Sequence, residues 1–237
     1  MNHGLYSPYL LSAVLFAAAC ASGGAVSTSE GRRETSLGNP DHEQYIRRFC
    51  GASNTSAAPA DGVLADFAGK KGQVITSVPP GAPAKTTLTH VMDAGKHTVN
   101  VNAIPGAKPQ FLTMTVLFDD CIDATGFAGV QFNLSGSLSG CALVYASVDP
   151  EHQYRGPEGP YPPQTRIPVA DLSSQSHSIK APFRDPGIQG NPATPVDPSK
   201  IAFIQWLVIV PVGGSIDGSD VPSCNGSVVV DDIKLYR

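Results

Sequence analysis

Along this chain, apolar residues come in short runs broken by Gly, Pro, Asn and Asp, and past residue 20 no helical apolar period outlasts a turn or two. That punctuation predicts strands rather than helices. Nine candidates follow: Val63–Phe67, Thr86–Val91, His97–Ile104, Phe111–Phe118, Phe127–Leu134, Cys141–Val148, His177–Phe183, Ile201–Val210 and Ser227–Tyr236. The run IAFIQWLVIV is apolar at both alternating positions, so it predicts a central strand covered on both faces. VVVDDIKLY alternates, which predicts Val229, Asp231, Ile233 and Leu235 on one face and Val230, Asp232, Lys234 and Tyr236 on the other. Asp93-Ala94-Gly95 supplies a hairpin turn, and LSGSLSG between Leu134 and Cys141 supplies another.

The N-terminal end is patterned differently. Leu10 to Ala19 is an uncharged apolar run, too short to span a bilayer and suited to the core of a secretory signal. Ala18 and Ala19 before Cys20 resemble a lipobox, although Ala17 stands where Leu is usual and the leader has no Lys or Arg. The resemblance implies lipidation at Cys20 and a surface or outer-membrane location; an ordinary secretory signal is the alternative. Residues 21–60 are rich in Ala, Ser, Gly and Thr, with too little apolar surface to offset the entropy of ordering, and read as a tether. The organisation is therefore a signal over 1–20, a tether over 21–60 and one all-β domain over 61–237. Two long Pro-rich loops, 149–176 and 184–200, interrupt the domain.

Charge and cysteines narrow the setting. Sixteen Lys and Arg against 20 Asp and Glu give a net charge of −4, which offers no electrostatic reason to bind nucleic acid. Besides Cys20, the chain has Cys50, Cys121, Cys141 and Cys224. An even number in an exported chain points to disulfides, and four cysteines allow three pairings. Cys121 and Cys141 bracket one predicted strand and its turns, which favours their pairing and leaves Cys50 with Cys224. None of these cysteines has the close spacing of a zinc site.

Three segments carry a family likeness. DGVLADFAG, FAGVQFNLSG, and IQWLVIV followed by VVVDDIKLY resemble, in order and spacing, strands of bacterial jelly-roll domains of the galactose-binding, carbohydrate-binding-module type. The likeness covers about three quarters of the chain. It implies an antiparallel jelly-roll β-sandwich in which the segment after Asp61 lies beside the C-terminal strand. It also implies a structural calcium near that pairing. Asp231 and Asp232 match the closing-strand ligand, Ala68 stands where the first-strand Glu is usual, and Asp66 is the available substitute. The bland alternative gives the aspartates a Lys, an Arg, backbone N–H groups or water as partners.

Sugar recognition uses aromatic faces ringed by amides and carboxylates. Tyr154 and Tyr161 in the first Pro-rich loop, with Arg155 and Glu158, form the leading ligand-contacting set; the alternative is a loop anchored to the sandwich edge by its tyrosines. Tyr145, Trp206 and Gln205 are further candidates. Trp206 shares a face with Ile204 and Val208, so core packing competes with ligand stacking. Catalytic patterns are weaker. Asp119, Asp120 and Asp123 cluster as at a turn, GSLSG has Leu138 where a nucleophile elbow needs Ser, and His90 and His97 could share a metal but lack a known ligand spacing and read as exposed hairpin residues. The expectation is an envelope or surface module that binds a carbohydrate or another envelope component without chemistry. The alternatives are a structural or protein-binding envelope module, and an atypical glycoside hydrolase or lyase.

Overall fold

A computed structural model describes residues 55–65, 73–79, 81–93, 96–150, 164–184, 195–213 and 222–237. Their strands are β1 (Thr55–Ala57), β2 (Val63–Ala65), β3 (Gln73–Ser77), β4 (Thr87–Asp93), β5 (Lys96–Ala103), β6 (Gln110–Asp123), β7 (Gly129–Ser139), β8 (Ala142–Val148), β9 (Gln164–Ile167), β10 (His177–Pro182), β11 (Ile201–Val210) and β12 (Cys224–Tyr236). Single turns of 3-10 helix at Val169–Asp171 and Pro198–Lys200 are the helical elements among the described residues.

The strands form two six-stranded sheets. The first runs β1-β6-β11-β8-β9, with β3 also on β6; the second runs β10-β7-β12-β5-β4, with β2 also on β12. From β5 to β8 the chain alternates between sheets at every strand, and from β9 to β12 it crosses again at every step. This is a jelly-roll sandwich, and it closes as expected. β2 lies antiparallel to β12, with Ala65 opposite Ile233 and Val63 opposite Lys234. β1 falls within the stretch read as tether and pairs in parallel with β6.

The core fills the space between the sheets. β5 shows why: in KHTVNVNA, His97, Val99, Val101 and Ala103 are buried while Lys96, Asn100 and Asn102 are exposed. β11 lies between β6 and β8, and eight of its ten residues are buried, as its two apolar faces require. Ile204, Trp206, Val208 and Val210 enter the central core. Phe203 and Leu207 point the other way and join Ile75, Leu117, Ala146 and Val148 in a second apolar cluster.

Three expectations change on contact with the structure. LSGSLSG is mostly strand: β7 runs to Ser139, and the turn falls at Gly140. β12 does not alternate strictly. Asp231 pairs with Asn133 and Lys234 with Gln131, so β12 carries one extra residue there. Asp232 takes a positive φ of 49° at this bulge. The bulge resets the parity and sends Val228 and Val230 to the same interior as Ile233 and Leu235. The third change is the disulfide: Cys141 is bonded to Cys224, across 83 residues, which overturns the pairings Cys121–Cys141 and Cys50–Cys224. Cys121 is itself disulfide-bonded, to a partner outside the described residues. Cys141 directly precedes β8 and Cys224 opens β12, so their bond staples one sheet to the other.

Candidate functional site

Of the residues expected to touch a ligand, Tyr154, Arg155, Glu158 and Tyr161 lie outside the described residues, as do Cys20, Cys50 and Asp66. Tyr145 and Trp206 are described, and each is only 2% exposed. They pack with Phe132 as a core trio: ring centroids lie 4.7 Å apart for Phe132–Tyr145, 5.1 Å for Phe132–Trp206 and 5.3 Å for Tyr145–Trp206. The last two contacts are edge-to-face, an arrangement that favours aromatic packing. The Tyr145 hydroxyl lies 2.8 Å from Ser147 Oγ, and burial pushes its pKa far upward. These rings hold the sheets together and present no face to a ligand. Gln205 points to the outer side of its sheet and is half-buried.

The calcium candidates serve the bulge. Asp231 Oδ1 accepts the Asp232 N–H at 2.8 Å, and Asp232 Oδ2 takes an ion pair from Lys234 at 2.9 Å and a long contact from Asn133 Nδ2 at 3.5 Å. Among the described residues no three His, Cys, Asp or Glu side chains converge.

Two members of the acidic cluster make structural contacts. Asp120 accepts a hydrogen bond from Ser56 Oγ at 2.7 Å, which ties β6 to β1, and Asp123 Oδ1 accepts the Thr125 N–H at 2.9 Å to close a turn. Ser173 Oγ lies 3.0 Å from His177 Nε2, a contact with nucleophile–base spacing. Both side chains sit at a surface turn, where Ser173 Oγ also accepts the Gln175 N–H at 3.2 Å. That hydroxyl is part of the turn.

What the sequence reading passed over is the outer face of the β4–β5–β12–β7 sheet. Cross-strand register lines its side chains into three rows. Thr87 stands beside Asn102, Asn225 and Ser139; Thr89 beside Asn100, Ser227 and Ser137; and Val91 beside Thr98, Val229 and Ser135. Every one of these twelve positions is exposed or half-exposed, and none carries a charge. The first two rows present only hydroxyls and carboxamides. The third adds apolar surface at Val91, which is 55% exposed, and Val229. Charge returns beyond that row, at Asp93, Lys96, Asp231 and Lys234. Farther along the same face Lys180 Nζ lies 4.9 Å from the centroid of the half-exposed Tyr236 ring. The signal was present in KHTVNVNA: apolar residues alternate with Thr98, Asn100 and Asn102, so the uncharged polar set must share the outward face.

No family model matches this chain, and no curated protein matches it. Solved structures similar to it include the family 11 carbohydrate-binding module of a cellulosomal cellulase of Clostridium thermocellum, at 18% identity and a TM-score of 0.44, covering 73% of this chain and 92% of that one. A carbohydrate-binding module specific for non-crystalline cellulose is 14% identical with a TM-score of 0.39, covering 77% and 96%. The family 30 module of another Clostridium thermocellum cellulosomal cellulase is 15% identical with a TM-score of 0.35, covering 66% and 88%. At this distance the likeness transfers no residue role to this chain.

Proposed function

We propose that this chain is an exported envelope or surface module that binds an uncharged carbohydrate without chemistry. The observation that carries the reading is the uncharged triple row on the outer sheet face. Hydroxyl and carboxamide groups both donate and accept, so they match the hydroxyls of a neutral glycan without the desolvation cost of buried charge. Val91, Val229 and the threonine methyls offer the apolar component that sugar C–H surfaces need. Tyr154 and Tyr161 of the Pro-rich segment remain part of the proposal as candidate aromatic contacts.

Export is supported by the leader ending at Cys20 and by a disulfide framework suited to an oxidising compartment. Lipidation at Cys20 would place the module on the outer membrane or cell surface; cleavage without lipidation would release it.

The test is a glycan array on the full chain, followed by the Asn100→Ala/Asn225→Ala double variant. Retention of neutral glycans, weakened about tenfold or more in the variant at unchanged melting temperature, is expected. Binding only to anionic glycans, or to none, overturns the reading.

A further inference from the structure

The two histidines expected at the hairpin surface are in contact. His97 occupies the inward side of β5 and is fully buried, because the alternation that exposes Lys96 turns its neighbour into the sandwich. His90 is on the inward side of β4, half-buried, with its Nδ1 3.2 Å from His97 Nε2. The ring centroids are 4.9 Å apart. Met92 stands directly opposite His97 in the β4–β5 register, on the same side of the sheet, and is 43% exposed at the open rim. Opposite residues in such a pair have Cβ atoms about 5 Å apart, and the unbranched Met side chain can swing its sulfur across that gap.

We propose that His90, Met92 and His97 form a copper(I) site at the β4 rim of the sandwich. The geometry suits a shared ion: with metal–imidazole bonds of about 2.0–2.1 Å, nitrogens 3.2 Å apart subtend an angle of about 100–106° at the metal. That is close to the tetrahedral value. The donor set selects the ion. Imidazole suits zinc and copper alike, whereas a thioether favours soft copper(I). Metal ligation also needs neutral imidazole. His97 is fully buried, and burial disfavours its charged form. In the metal-free pair one contacting nitrogen carries the hydrogen. Binding moves that hydrogen to the other nitrogen of the same ring, and the charge of the pair is unchanged.

The site is independent of the glycan reading, because these three side chains lie on the opposite side of β4 and β5 from the uncharged rows. The test is anaerobic titration of the full chain with copper(I) delivered from a chromophoric chelator, together with X-ray absorption at the copper edge. One copper(I) per chain is expected, with one sulfur and two nitrogen scatterers. His90→Gln should abolish the binding. Met92→Leu should weaken it by at least about tenfold and remove the sulfur scatterer, while leaving the melting temperature of the metal-free protein unchanged. Cysteine sulfur is common to wild type and variants, so only the difference between them is read. Equal copper(I) affinity in wild type and Met92→Leu, or zinc bound as tightly as copper(I) by both, overturns the proposal, and so does the absence of stoichiometric uptake.

Discussion

Gly136 of β7 and Gly226 of β12 lie diagonally across one strand pair, and each stands where a side chain would strike the other strand. A Cβ on Gly136 would run into Ser227 O, and one on Gly226 into Ser137 O. Their φ angles of 121° and 141° belong to backbone that L-residues rarely adopt. The two glycines let β7 and β12 close at the middle of the sheet.

Either glycine replaced by alanine combines backbone strain with a main-chain collision. Gly226→Ala should cost about 2–5 kcal/mol, read as a lowered denaturant midpoint at unchanged slope. A loss under about 0.5 kcal/mol would mean that the strands separate freely at this point.

The Cys141–Cys224 staple closes a long loop in the unfolded chain. For a separation of 83 residues, loop-closure entropy places its contribution at about 4–5 kcal/mol at most. The Cys141→Ala/Cys224→Ala double variant should therefore melt well below wild type, and reductant should lower the wild-type melting temperature toward it. Identical melting curves in oxidant and reductant would contradict the staple.

Acid should destabilise the fold through His97. Its folded pKa of about 4 lies below the unfolded value of 6.5. Above pH 6.5 both states are neutral and stability is independent of this group. As pH falls from 6.5 toward 4, only the unfolded state takes up the proton, so stability is lost across that window, to an extent on the order of 3 kcal/mol. His97→Gln should flatten the slope of stability against pH between those limits.

The sole tryptophan reports on the core and not on the proposed binding face. Trp206 emission should be blue-shifted, and saturating glycan should leave it unchanged. Trp206→Ala should cost about 3–5 kcal/mol through the cavity it leaves against Phe132 and Tyr145. A ligand-dependent quench would return Trp206 to the list of binding residues.

Chelator should leave the melting temperature where it is, because Asp232 is already paired with Lys234 at the bulge. A drop in EDTA, reversed by calcium, would show that residues beyond the described set complete an ion site with Asp231.

Much of the sandwich was legible because burial writes itself as periodicity. IAFIQWLVIV gave away a two-sided central strand, and all nine expected strands have counterparts. β3 and β9 escaped notice because QVITS and QTRI are short and offer few apolar positions to establish a period. The face assignment in β12 failed at a single residue: one inserted aspartate in left-handed backbone reverses every alternation that depends on it. The disulfide was not readable, since it depends on which strands meet across the sandwich rather than along the chain. For the site the difficulty was of another kind. Aromatic residues draw attention as sugar platforms, yet Tyr145 and Trp206 are large enough that the interior claims them, while the small uncharged side chains of β5 and β12 form a surface only once the strands are side by side.

That assembly depends on the strand reached last. β12 holds β7 on one flank and both β5 and β2 on the other, so the second sheet has no spine until Tyr236 is available. A growing chain that still lacks it cannot complete the sandwich, and its pairings are among the slowest to form because they span most of the sequence. A premature stop before residue 224 is therefore a loss of the whole domain rather than of a tail.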